Sequence, residues 1–213
     1  MSFANRVDAG RQLADLLAHL TDDDVVVVGL PRGGVPVGRV IADALRAPLD
    51  VILVRKLGVP TQPEVAMGAI GEGGVRVINE RTMRAAGVDP DALQRVEAQE
   101  RVEMARRAER YRQGRDRVSL RGRVVVIVDD GVATGSTARA ACQVAAAEGA
   151  ERVILAVPVA PRNWEKGLRD VADELVCHTV PDNFHSVGQF YGDFSPTSDE
   201  EVVACLAADG SRS

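Results

Sequence analysis

Along the chain, short continuous apolar runs alternate with stretches in which apolar residues recur every three or four positions. The runs lie at 25–29, 51–54, 124–128, 153–157 and 174–177, most of them dense in valine. Continuous runs, unlike an inside-outside alternation, suit strands of a parallel sheet covered on both faces. Helical spacing fills the gaps. The stretch 6–20 carries Val7, Leu13, Leu16, Leu17 and Leu20, and the stretches 35–45, 136–147 and 163–171 each follow a strand. This order predicts an α/β fold, a doubly wound and mostly parallel sheet of about five strands with right-handed crossovers.

Between Arg55 and Arg121 the rhythm breaks. "VAMGAIGEGGVRVIN" reads as a hairpin whose strands flank residues 71–74, and a long charged helix follows. Asp89 is placed to cap that helix, Pro90 suits its first turn, and Gly114 is placed to stop it after Arg112. Residues 60–120 therefore read as an insertion within one domain spanning 1–213. From Arg101 to Arg123, nine arginines stand against three acids. Pairs such as Glu97/Arg101 and Glu103/Arg107 predict a solvated, ion-paired face; a nucleic-acid or partner surface is the competing reading.

Composition mainly excludes. With 213 residues and 46% apolar content the chain can bury a sizeable core. A formal net charge of −5 and an isoelectric point near 5.3 argue against a protein built to coat nucleic acid or an anionic membrane. Cys142, Cys177 and Cys205 are far apart and lack metal-ligand spacing, so reduced, buried thiols are expected. The N-terminus has no signal-peptide core, and no apolar run approaches the roughly 18 residues of a membrane span. A cytoplasmic location, without membrane partners, is the expectation.

The chemistry concentrates in "RVVVIVDDGVATGSTARA", residues 123–140, where a strand runs into two adjacent carboxylates and then a small-residue loop opening a helix. In open α/β sheets, ligands bind beyond the carboxyl ends of the strands, where strand order reverses. Free amides, a helix dipole and the hydroxyls of Thr134, Ser136 and Thr137 suit a phosphate. Two carboxylates beside a phosphate repel it unless they face another part of the same ligand. Vicinal ribose hydroxyls, with the 5-phosphate in the loop, resolve that conflict.

"VVVIVDDGVATGST" resembles the phosphoribosyl-pyrophosphate fingerprint of the type I phosphoribosyltransferases. The resemblance implies that Asp129 and Asp130 hold the ribose hydroxyls and that Ala133, Thr134, Gly135, Ser136 and Thr137 hold the 5-phosphate. Gly131 departs from the family, which usually has an apolar residue there, and suggests a slightly looser turn. "VGLPRGG" (28–34) resembles the pyrophosphate loop, with Arg32, Gly33 and Gly34 at the diphosphate, a place where family members often have a cis peptide. "LVRKLG" (53–58) puts Arg55 and Lys56 at the end of the next strand, where a family lysine meets pyrophosphate. "PEVAMGAIGEGG" (63–74) is similar to the family's mobile loop, a candidate lid in which Glu64 is either an active-site acid or solvent-facing.

The segment 181–195 holds four of the chain's seven aromatic residues and matches the position of the family's acceptor hood. Phe190, Tyr191 and Asp193 are its candidate acceptor contacts, with Arg162 and Trp164 as neighbours; His185 reads equally as structural. The resemblance implies transfer of a 5-phosphoribosyl group from phosphoribosyl pyrophosphate to a nitrogenous acceptor, a nucleobase, with release of pyrophosphate. Mg²⁺ would enter on the substrate, and Asp129, Asp130, Lys56 and Arg32 would be the catalytic groups of a homodimer. The alternative is a regulator on the same fold that binds phosphoribosyl pyrophosphate or a nucleotide and contacts nucleic acid through Arg106, Arg107 and Arg110. A receiver domain lacks its later acceptor aspartate here, "GVATGST" has no P-loop lysine, and neither a dinucleotide fingerprint nor an esterase elbow occurs.

Overall fold

The computed structural model describes residues 3–208, the side chain of Glu64 excepted. In chain order its elements are α1 (Arg6–Leu16), β1 (Val25–Gly29), α2 (Gly34–Leu45), β2 (Leu49–Val51), β3 (Val54–Val59), β4 (Gln62–Gly71), β5 (Arg76–Ile78), α3 (Glu80–Ala85), α4 (Pro90–Arg112), β6 (Val124–Val128), α5 (Ser136–Ala147), β7 (Arg152–Val159), β8 (Glu174–Thr179) and α6 (Asp199–Ala207). A parallel sheet in the order β2-β1-β6-β7-β8 forms the core, and β3-β4-β5 make a second, antiparallel sheet.

Both faces of the central sheet are covered, which is why its strands need no polar side. Val27, Val126, Val128 and Ile154 pack with Leu13 of α1 and Ile41 of α2. Their strand neighbours Val28, Ile127 and Leu155 point the other way, onto Ala141 and Val144 of α5 and onto Trp164. Each fully buried aliphatic side chain contributes roughly 1.5–3 kcal/mol of transfer free energy. The small inner face of α5 lets that helix sit close behind the ends of β6 and β7.

Five expectations need correction. Strand β2 runs over Leu49–Val51, not 51–54, and takes in Asp50 as a buried charge with partners. Arg55 and Lys56 do not end a parallel strand; they lie in β3, paired antiparallel with β4. The candidate lid is a ten-residue strand, β4, whose Met67, Ala69 and Ile70 are buried. Gly71 closes it against α5, since a Cβ there would stand 2.3 Å from a methyl of Val144. No helix forms over 163–171, where Asn163 (φ 61°) and Gly167 (φ 79°) turn the chain and Arg139 of α5 holds the Asp170 carboxylate at 2.6 and 2.7 Å. The initial helix also ends early, with a 3₁₀ turn over Ala18–Leu20 completing the expected span.

Helix α4 begins as its sequence dictates, with the Asp89 carboxylate accepting from the Ala92 amide at 2.7 Å and Pro90 in the first turn. It ends at a left-handed Gln113 (φ 50°), one residue before Gly114 (φ 81°). Its last residue ties the insertion to the core. The buried guanidinium of Arg112 donates to both Asp50 oxygens at 2.9 and 3.1 Å, to Glu72 at 2.5 and 2.9 Å and to the Val51 carbonyl at 3.2 Å. Asp50 is completed by the amides of Val51 and Val118. Arg112→Met strands two carboxylates beside the sheet, and urea denaturation should show a loss of about 3–5 kcal/mol.

Candidate active site

The central sheet reverses its winding between β1 and β6: from β1 the chain builds outward to β2, and from β6 it builds outward to β7 and β8. The crevice therefore opens beyond Gly29 and Val128, which are paired in register. Leu30 continues the contact by donating to the Val128 carbonyl at 2.8 Å. The turn that follows contains a cis peptide between Pro31 and Arg32. It is pressed onto the acid pair. A Cβ on Gly33 would lie 1.9 Å from Asp130 Oδ2, and one on Gly34 would lie 2.3 Å from the Val128 carbonyl oxygen.

Asp129 and Asp130 occupy the end of β6 as expected. Burial, reinforced by the neighbouring Asp130 charge, pushes the Asp129 carboxyl up to about 8. Burial also raises Asp130, against the pull of Arg6. Arg6, at the start of α1, was not a sequence candidate. Its Nε and its terminal nitrogen both reach Asp130 Oδ2 at 2.9 Å, its other nitrogen donates to the Ser195 carbonyl at 2.8 Å, and its guanidinium lies 4.2 Å from the Phe194 ring centroid. The one sequence signal was position: an arginine directly after the α1 cap Asn5, on a helix otherwise read for its leucines.

Beyond the acids, residues 133–137 form an exposed loop that enters α5 through a left-handed Gly135 (φ 74°). Side chains cap α1 (Asn5), α3 (Asn79), α4 (Asp89) and α6 (Ser198). The two helices that start at the crevice, α2 and α5, have glycine at this position and no side-chain cap. The positive end of α5 is thus left for a ligand, whereas at α2 the Gly34 and Val35 amides are taken by the Leu30 and Arg32 carbonyls. Lys56 Nζ stands 3.4 Å from Ser136 Oγ, and Pro31 and Thr137 line one small cavity. The Gly34 amide is spent on the Leu30 carbonyl at 3.0 Å, so it does not serve a diphosphate; the Gly33 amide has no partner among the described residues.

Other candidates are placed differently. Arg55 turns away from the crevice to Glu100 of α4, at 2.5 Å. Arg32 is half exposed and points toward Asp199, 3.9 Å away. Tyr191 does not present a stacking face to an acceptor: its ring is buried between Phe3 and Phe194, and its hydroxyl donates to the Asp130 carbonyl at 2.6 Å. Phe190 is buried beneath Phe184, and Asp193 accepts from the amide and hydroxyl of Ser195, which hold its carboxyl below the usual range. Trp164 is core, Arg162 pairs with Asp182, and His185 is exposed. The Glu64 side chain lies outside the described residues. The turn at Gly131 is not loose: a Cβ there would meet Val187 of the hood at 2.5 Å. The hood is stitched to the chain's beginning by Phe3 amide to Phe190 carbonyl (3.0 Å) and Gly192 amide to Phe3 carbonyl (2.8 Å).

With this geometry in place, the comparisons with known proteins agree on the class. Residues 5–195 match the family model for the phosphoribosyl transferase domain, and the chain belongs to that family. Two curated Mycobacterium tuberculosis proteins, one from each of two strains and each provisionally described as a phosphoribosyl transferase, are 57% identical to it over 204 residues. That match covers 96% of this chain but 46% of each relative, so the chain spans about half their length. The crystal structure of Thermus thermophilus TT1426 superposes with a TM-score of 0.90 at 46% identity, covering 98% of this chain and 99% of that one. Among the described residues no helix is long and apolar enough to cross a membrane.

The raised Asp129 carboxyl sets a sign for stability. Folding favours its protonated form, so the ligand-free protein should lose stability as pH rises from the ordinary aspartate range through about 8. Thermal melts between pH 5 and 9 should show the melting temperature falling in the parent, with a clearly shallower fall in Asp129→Asn.

Proposed function

We propose that this chain transfers a 5-phosphoribosyl group from phosphoribosyl pyrophosphate to a nitrogenous acceptor, a nucleobase in the simplest case, and releases pyrophosphate. The observation that carries the reading is the convergence of two uncapped, glycine-led helix starts on one crevice, with the Asp129/Asp130 pair between them. The start of α5 suits the 5-phosphate and the Gly33 amide just ahead of α2 suits the diphosphate, while the acids accept from the ribose hydroxyls in the middle. Diol hydrogen bonds favour the ionised carboxylates, so donor binding and proton release from the pair are coupled.

As the glycosidic bond breaks, negative charge grows on the leaving diphosphate and positive charge on the ribose ring. Lys56, Arg32 and the Gly33 amide answer the first, and Asp129 and Asp130 answer the second. Among the described residues no three His, Cys, Asp or Glu side chains converge as a resident metal site. The acid pair offers hard oxygen donors near the place where a Mg²⁺ carried on the diphosphate and diol would sit, and such an ion would neutralise leaving-group charge. No side-chain nucleophile is needed. Water is kept from the buried face of the acids by Tyr191 and by Gly33, whose missing side chain lets the turn close over Asp130.

The double variant Asp129→Asn with Asp130→Asn should nearly abolish ribosyl transfer, a loss of at least about 10² to 10³ in rate, with the fold retained. Calorimetric titration with phoshoribosyl pyrophosphate decides the reading: undiminished binding by the double variant would refute it. Screening bases for pyrophosphate release identifies the acceptor.

A further inference from the structure

Three arginines that ribosyl transfer leaves unused gather beside one that it uses. Arg106, Arg107 and Arg110 of α4 and Arg32 of the diphosphate turn surround an open hollow of about 350 Å³, floored by Pro31 and Tyr111 and entered by Asp199 from the start of α6. We propose that this hollow binds a small multivalent phosphoanion, of the di- or triphosphate class, at a site separate from the loop at 133–137.

The charges present support an anion even after the internal pairs are counted. Glu103 is shared by Arg106 (2.9 Å) and Arg107 (2.8 Å), and Asp199 is shared by Arg110 (2.8 Å), Arg32 (3.9 Å) and the Tyr111 hydroxyl (3.0 Å). Glu200 meets Arg110 at 3.4 Å and is 80% exposed. Four guanidiniums therefore stand against Asp199 in the hollow and Glu103 outside its lining, and each retains donors that these pairs do not use. The side chains of Arg32, Arg106 and Arg110 are 49%, 60% and 47% exposed, so phosphate oxygens can reach them without unfolding anything. Guanidinium groups match phosphate oxygens in geometry as well as in charge.

The concave arrangement favours a compact anion over a nucleic acid. A nucleic-acid face needs cations spread along a groove, whereas here the four arginines line a single hollow together with Pro31, Tyr111 and Asp199. The neighbouring cavity, lined by Arg107, Pro31 and Thr137, lies between the hollow and the phosphate loop. Occupancy of the hollow would hold Arg32 in place, and through it the turn pressed onto Asp130. The proposal goes beyond ribosyl transfer, sharing Arg32 with it.

Calorimetric titration of the full chain with sodium tripolyphosphate tests it. All titrations use a Ser136→Asp background, whose fixed negative charge blocks the phosphate loop, so the result does not depend on the ribosyl-transfer reading. Salt-sensitive binding should persist there, weaken about tenfold or more in Arg106→Gln with Arg110→Gln, and tighten in Asp199→Asn, which removes the competing carboxylate. Thermal melts check that each variant is folded. Complete loss of binding with Ser136→Asp alone, or no change in the double arginine variant, overturns the proposal. Binding of a labelled RNA oligonucleotide that these arginines control, with no tripolyphosphate binding, overturns it in favour of a nucleic-acid face. Adenosine triphosphate as competitor separates the sources: displacement supports a nucleotide tail, absence of displacement an inorganic chain, and both support the site.

Discussion

The turn after β1 and the acids after β6 share a space with no room for a β-carbon. Gly33 and Gly34 lie against Asp130 and the Val128 carbonyl because the two strands are neighbours in register, Gly29 beside Val128. The rest of the site inherits this contact. Helix α2 starts from the pressed turn, and α5 starts just beyond the acids, so both helices begin at the same crevice. A side chain at either glycine would separate the turn from the carboxylates and split one ligand site into two.

The same closeness has an electrostatic cost. Drawing two carboxylates into a partly dry crevice disfavours their charge, and Arg6 offsets this at both, with direct contact at Asp130. Arg6 joins the beginning of the chain to the acid pair, to Phe194 and to the Ser195 carbonyl, while Tyr191 reaches the Asp130 backbone from the other side. The segment read as a hood is thus also a clamp on the acids. Phe3, Phe190 and Tyr191 form its own small apolar core, apart from the two that sandwich the sheet.

Much of this was legible in the sequence where one residue type has one job. Continuous valine runs named β1 and β6, Asp89 and Pro90 named the start of α4, and the small-residue loop named the start of α5. Legibility failed where a side chain acts at long range. Asp50 looks like a strand breaker until Arg112, 62 positions away, is seen to complete it. Arg55 resembles a diphosphate ligand until Glu100 takes it, and the aromatic hood residues look available until Phe3 covers them. Arg6 is the reverse case: nothing around it in sequence predicts a carboxylate 124 positions on. The hairpin of β4 and β5 was legible, but the pairing of β3 with β4 was not, because residues 53–58 read as the end of a core strand; Gly68 and Gly71 are sites of close packing.

Helix α5 carries one more consequence in Cys142. Its thiol is fully buried behind the sheet, and burial pushes it up to about 12, so in the closed molecule it is a neutral, unreactive sulfur. It sits less than two turns from Ser136, on the helix whose first turn faces the crevice. An alkylating reagent can reach that sulfur only when α5 lifts from the sheet. The rate of thiol capture therefore counts how often the phosphate-facing helix leaves its seat, and gives the molecule an internal clock for the opening of its own site.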